Sequence, residues 1–208
     1  MPDRYPSFAV LSAHEDEGTD FQVRLRLVDS PLAIIAPHGG GIESGSSEIA
    51  DAVAGGDYSF YAFEGIKRSE NSSLHLTSTH FDEPRCLRVL SQSEVVIAIH
   101  GRDLDERTVF LGGTHTELVE RLAASLREAG FGVALRDDPA YQGRSPDNIC
   151  NRGRSGRGVQ IEVARGVRKT LFAALSAQGR KVRTWQFLKF TKALRKGLKD
   201  EIAARSNS

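Results

Sequence analysis

Leu32-Ala33-Ile34-Ile35-Ala36-Pro37-His38-Gly39-Gly40-Gly41-Ile42-Glu43 couples a short apolar run to a glycine-rich loop that carries an imidazole and a carboxylate. Five consecutive apolar residues without alternation predict a strand covered on both faces, as in the middle of an α/β sheet. In an extended chain His38 and Glu43, an odd number of positions apart, would point to opposite sides. Glycine accepts positive φ, so the glycine run can fold the backbone back and bring both side chains to one point.

Outward from this segment, strands and helices alternate. Phe21, Val23, Leu25 and Leu27 interleave with Gln22, Arg24 and Arg26, the period-2 pattern of a half-buried strand. Further strands are predicted at residues 58–63, 74–78, 95–99, 109–111, 133–135 and 159–163. A helix is predicted over 47–53, stopped by Gly55-Gly56, and another after Thr114 and Glu117, which have capping-box spacing. That second helix carries the stripe Leu118, Leu122, Ala123, Leu126 and stops at Gly130. Helical patterns close the chain at 167–175 and 184–204. The alternation predicts α/β class: a single domain over residues 1–208, with an open, twisted, mixed β-sheet flanked by helices.

Composition bounds what such a domain does. With 208 residues, 39% hydrophobic and 26% charged, the chain can build a core. No apolar run approaches the roughly 20 residues of a membrane span. The first residues show neither an apolar core nor a small-residue cleavage site, so a cytoplasmic location is expected. Cys86 and Cys150 lack metal-ligand spacing and are read as reduced packing residues. The net charge of +1 hides an asymmetry: residues 180–208 hold nine Lys or Arg against Asp200 and Glu201. This basic C-terminal helix reads first as a solvated face and second as a surface for a polyanion or a partner.

Ligands of open α/β sheets sit beyond the carboxyl ends of the strands. Strand 32–36 delivers His38 and Glu43 there, strand 95–99 delivers His100, and strand 159–163 carries Glu162. Two imidazoles and a carboxylate around an open position form the donor set of catalytic zinc. A phosphate cradle fits less well, since the loop has neither GxxxxGK[ST] nor GxGxxG spacing. Glu162, between Ile161 and Val163, is read either as a general base whose charged form is disfavoured by apolar neighbours or as half of a buried ion pair with Arg165, Arg168 or a loop arginine.

The segments His38 to Glu43, Phe60-Tyr61-Ala62-Phe63-Glu64-Gly65, Leu74-His75-Leu76-Thr77-Ser78, His100-Gly101, Asn148-Ile149-Cys150-Asn151-Arg152 and Gly158-Val159-Gln160-Ile161-Glu162 together resemble the phage and bacterial poly-γ-glutamate hydrolases. The resemblance runs in order from about Phe8 to about Leu175. It implies a compact, zinc carboxypeptidase-like enzyme that cleaves γ-glutamyl amide bonds, with one zinc ion on His38, Glu43 and His100 and with Glu162 as catalytic carboxylate. It further implies that Asn151 and Arg152 hold a substrate carboxylate. In carboxypeptidases the Asn-Arg pair precedes the last zinc ligand, whereas here it follows His100, and the His-to-Glu spacing is longer than HxxE.

On this reading zinc would bring the pKa of a bound water to about 7 and Glu162 would move the proton to the leaving nitrogen. Arg152 or Arg165 would face the oxyanion or a free α-carboxylate, and His75 is read either as facing substrate or supporting the site, or equally as making a core hydrogen bond. Seven basic residues against Asp147 and Glu162 over residues 144–169 suit the polyanionic poly-γ-glutamate substrate. A monomer is expected, without membrane or nucleic-acid partners, and a phage-derived chain would be released by lysis. Two alternatives remain: a peptidoglycan amidase-like zinc enzyme using Glu48 as a ligand, and a non-catalytic module whose basic tail binds nucleic acid or a partner.

Overall fold

The computed structural model describes residues 3–135 and 142–206. Seven strands form one mixed sheet: β1 (Phe21–Arg26), β2 (Leu32–Gly40), β3 (Ser59–Gly65), β4 (Val95–Arg102), β5 (Thr108–Gly113), β6 (Gly132–Leu135) and β7 (Val159–Ala164). They lie in the order β1-β3-β2-β4-β7-β5-β6. The four central strands β3, β2, β4 and β7 are parallel. β1 is antiparallel to β3, and β5 is antiparallel to β7 with β6 parallel beside it.

The period of two sorts the central strands into two cores. Leu32, Ile34 and Ala36 join Val95, Ile97, Ile99, Ile161 and Val163 on one face. That face is covered by α2 (Ser46–Ala54), α4 (Thr116–Glu128), α5 (Arg165–Leu171) and α6 (Trp185–Ser206). Ala33, Ile35, Val96 and Ala98 face the second core, under α1 (Phe8–Ser12) and α3 (Pro84–Ser91). Cys86 and Cys150 are free and buried in that second core, where burial pushes the Cys150 thiol up to about 12, so both pack as expected. Among the described residues no helix is long and apolar enough to cross a membrane.

Four local expectations are corrected. β2 does not end at Ala36 but runs through His38 to Gly40, with a register shift against β3 between Ala36 and Gly39. Residues 74–78 form no strand, because β1 and β2 already occupy both edges of β3. A 3₁₀ turn at Asn71–Leu74 instead lays Leu74 and Leu76 on the second core. The cap of α4 is His115, whose Nδ1 accepts from the Leu118 N–H at 3.4 Å, while the Thr114 hydroxyl donates to Asn151 Oδ1 at 2.8 Å. The helix expected over 167–175 spans Arg165–Leu171, because Phe172 leaves it to bridge Arg183. α1 and α3 carry no periodic signal long enough to be read. α3 does carry a start signal, with Pro84 in its first turn and the Glu83 carboxylate accepting from the Cys86 N–H at 2.8 Å.

Candidate active site

The turn after β2 is closed by the Glu43 N–H donating to the His38 carbonyl at 2.9 Å. This bond returns the chain on itself, so the glycine loop does what its composition predicts. Two of its glycines are sterically required. A Cβ on Gly39 would lie 2.9 Å from the Phe63 carbonyl oxygen, and Gly40 has φ +64° with the Gly65 carbonyl 2.4 Å from where a Cβ would sit. The loop is thus pressed against β3, and that pressure fixes where Glu43 emerges.

His38 and His100 are 2% and 4% exposed. Their Nδ1 atoms stand 3.2 Å apart, Glu43 Oε1 is 3.2 Å from His38 Nδ1, and Glu43 Oε2 is 3.4 Å from His100 Nδ1. His38 Nε2–H donates to the Leu76 carbonyl at 2.7 Å, which turns Nδ1 toward His100 and Glu43. Leu76 thereby shows why residues 74–78 matter without being a strand. The Gly101 N–H donates to Glu43 Oε2 at 2.8 Å. Burial alone would raise the Glu43 pKa, but the imidazoles of His38 and His100 outweigh it and hold the carboxyl well below its usual range.

His75 stacks on His38 with ring centroids 4.0 Å apart, and its Nδ1 faces Asp3 Oδ1 at 2.7 Å. Burial, then the neighbouring His38, lowers its pKa against the pull of Asp3. His38, Glu43 and His75 also present ligand atoms within 4.8 Å of one another. A cavity of about 550 Å³ opens beside this cluster, lined by Glu43, His75, Arg4, Ile42, Ser72 and Ser73 among others.

Glu162 is the register partner of His100 across β4 and β7, so both project from the same face of the sheet. Its surroundings are polar, not apolar as expected: Gln160 Nε2 donates to Oε1 at 3.0 Å and Arg102 Nη1 lies 3.7 Å from Oε2. Neither Arg165 nor Arg168 pairs with it. Arg165 is ion-paired with Asp103 and Asp105 on the surface. Asn151 is buried with its amide donating to the Gly143 and Ser145 carbonyls at 2.7 and 2.8 Å, and exposed Arg152 donates from Nη1 to the Phe81 carbonyl at 2.8 Å. Glu48 stands apart from the cluster, its Oε1 accepting from Arg180 Nε at 2.6 Å.

In the sequence Arg168 stands out only as one of several candidate ion-pair partners for Glu162. It is 5% exposed and its guanidinium donates to three main-chain carbonyls: Val163 at 3.0 Å, Ser44 at 2.6 Å and Arg102 at 2.9 Å. Each acceptor lies within two residues of Glu162, Glu43 or His100. One side chain therefore ties together the three segments that carry the cluster. No sequence signal distinguishes it, because carbonyl acceptors leave no residue-type signature.

The sheet carries an imidazole–carboxylate cluster at its strand ends, and comparisons with known proteins give the family in which this arrangement occurs. The model of the poly-γ-glutamate hydrolase family matches residues 5–193, and the chain belongs to that family. The UPF0714 protein YndL of Bacillus subtilis (strain 168) is 40% identical over 200 residues, covering 95% of this chain and 79% of that protein. A structure of a bacteriophage poly-γ-glutamate hydrolase superposes with a TM-score of 0.94 at 32% identity, over 98% of this chain and all of that one (100%). A zinc-free structure of YndL gives a TM-score of 0.92 at 39% identity, over 96% of this chain and 99% of that one.

Proposed function

We propose that this chain is a zinc-dependent hydrolase of the γ-glutamyl amide bonds of poly-γ-glutamate. The observation that carries the zinc assignment is the pair of imidazole Nδ1 atoms 3.2 Å apart beside a carboxylate. Two ring nitrogens so close repel unless a proton or a cation lies between them. Donors about 2.0–2.1 Å from a tetrahedral zinc ion are separated from one another by about 3.3 Å, which the His38–His100 and His38–Glu43 spacings match. His38, Glu43 and His100 are the residues that would hold the ion, with the Leu76 carbonyl fixing the His38 tautomer as outer partners of metal-bound histidines do. Bound there, zinc would supply a Lewis acid that acidifies a water and polarises the scissile carbonyl.

The chain's own residues then do the rest. Glu162, on the same face as His100, accepts a proton from the attacking water and returns it to the leaving nitrogen, while Gln160 holds its second oxygen in place. Arg102, beside Glu162, and exposed Arg152 would receive a free α-carboxylate of the polymer, and His75 borders the cavity that would admit it. Asn151 serves by holding the loop from Gly143 that carries Arg152, and Arg165 would reach substrate only by leaving Asp103 and Asp105.

The test is metal analysis of the purified protein together with poly-γ-glutamate depolymerisation before and after chelation. About one zinc per chain and activity that chelation abolishes and zinc restores support the reading. Undiminished activity in the metal-free protein ends it. Muropeptide cleavage without poly-γ-glutamate cleavage would move the substrate to peptidoglycan.

A further inference from the structure

The proposed reaction leaves the basic end of the chain unused, and α6 is the place where its charge is displayed. The inner side of that helix, Phe187, Phe190, Leu194 and Leu198, is buried in the first core. Its outer side carries Trp185, Leu188, Lys189, Lys192, Lys196 and Lys199, all exposed. At 3.6 residues per turn these six positions fall within an arc of about 100° and form one continuous stripe. Trp185 is 73% exposed and Leu188 54%. Among the described residues Lys189, Lys192 and Lys199 have no carboxylate partner, while Lys196 pairs with Glu128 at 2.7 Å. Grooves of about 490 Å³ and 360 Å³ flank the stripe.

Two features of this surface need a common explanation: a lysine row of which three members have no carboxylate partner among the described residues, and large apolar side chains at its N-terminal end. A γ-linked glutamate polymer has both complements. It carries one free carboxylate per unit, and its backbone contains two methylenes per unit that can lie against an indole. The spacings agree as well. An α-linked residue spans at most about 3.6 Å, and the two extra backbone carbons of a γ link bring that to about 6 Å. Lysines three and four positions apart on a helix are separated along the axis by about 4.5–6 Å.

We infer that the outer face of α6 is a second binding surface for poly-γ-glutamate, gripping the polymer at a distance from the bond that is cleaved. This rests on the substrate proposed above. The cluster of His38, Glu43 and His100 lies toward the second core and α6 covers the first, so the sheet separates the two sites. Only a polymer long enough to pass around the domain engages both, and the gain is one of effective concentration. The surface therefore acts on long chains and leaves short oligomers untouched.

The protein carries a direct reporter, since Trp185 is its single tryptophan. In the full-length chain, rapid-mixing fluorescence with high-molecular-weight poly-γ-glutamate should shift or quench the emission, with an affinity that weakens as salt rises. The triple charge reversal Lys189→Glu/Lys192→Glu/Lys199→Glu, with circular dichroism and melting temperature unchanged, should weaken that binding at least 10-fold. It should slow turnover of sub-saturating long polymer several-fold while altering cleavage of a γ-glutamyl trimer by less than 2-fold. An emission blind to the polymer, or equal losses on polymer and trimer, overturns the inference. A stronger response to anionic phospholipid vesicles or duplex DNA overturns it too and gives the surface to that partner. The binding readout does not depend on cleavage: a fluorescence response in a chain that does not depolymerise the polymer would end the proposed reaction and keep the surface.

Discussion

Replacing Arg168 by Met should cost this protein more than any other single change outside its apolar cores. The guanidinium is 5% exposed and satisfies the carbonyls of Val163, Ser44 and Arg102 at once. A hydrogen bond from a charged donor contributes about 1.5–3 kcal/mol, so the three sum to roughly 5–9 kcal/mol before the cost of burying the charge is set against them. Burial does penalise the charge here, lowering the Arg168 pKa, with the Glu43 carboxylate acting in the opposite sense. Methionine matches the apolar stem but removes the donor from three main-chain carbonyls and leaves Glu43 without its nearby cation. The net loss should be about 3–5 kcal/mol, a large part of the roughly 5–15 kcal/mol available to a domain. Urea denaturation measures that loss. Zinc affinity by chelator competition measures whether the cluster loosens with it, as expected when the loop bearing Glu43 is released from the ends of β4 and β7. Arg168→Lys, which can satisfy some of the carbonyls, should recover part of both. A loss below about 1 kcal/mol in Arg168→Met would refute the reasoning.

Other perturbations separate the roles at the site. Glu162→Gln should keep zinc content while lowering kcat on poly-γ-glutamate by about 10²–10⁴-fold; near-normal turnover would remove the proposed base. His38→Ala should lose the metal and the activity together in metal analysis and depolymerisation assays. Arg165→Ala, which breaks only surface ion pairs to Asp103 and Asp105, should leave kcat/KM within 2-fold. Acid stability offers a further check away from the metal cluster. Burial raises the Glu15 carboxyl pKa, but Lys67 and the Tyr5 hydroxyl outweigh burial and hold it below the ordinary glutamate value. Its contribution is therefore complete above about 4.5 and is lost as pH falls through the lower folded value. In denaturation across pH 2–6, Glu15→Gln should be less stable than the parent at the upper end and converge with it at the lower.

How far the sequence could be read follows from what kind of interaction fixes each part. The central strands were legible because burial on both faces demands an apolar run, and 32–36 and 95–99 supply one. The meeting of His38 and Glu43 was legible because the glycines between them let a backbone pressed against β3 reverse direction, and the place of His100 because it ends an apolar run. What stayed hidden is set by main-chain atoms. Residues 74–78 have a strand's composition, yet topology leaves them no edge, and their contribution is one carbonyl, that of Leu76, which any residue could offer. Arg168 is hidden for the same reason. The cap of α4 misled because Thr114, a good cap by type, is taken by Asn151, a partner far along the chain. Composition near Glu162 misled in the opposite direction. Ile161 and Val163 point to the first core, so the neighbours that Glu162 meets are not its sequence neighbours but Gln160 and Arg102, which share its face. In a strand, the chemistry around a side chain is set by residues two away and by the adjoining strands. The environment of a carboxylate on a buried strand can therefore be inferred only once the register of its neighbours is known.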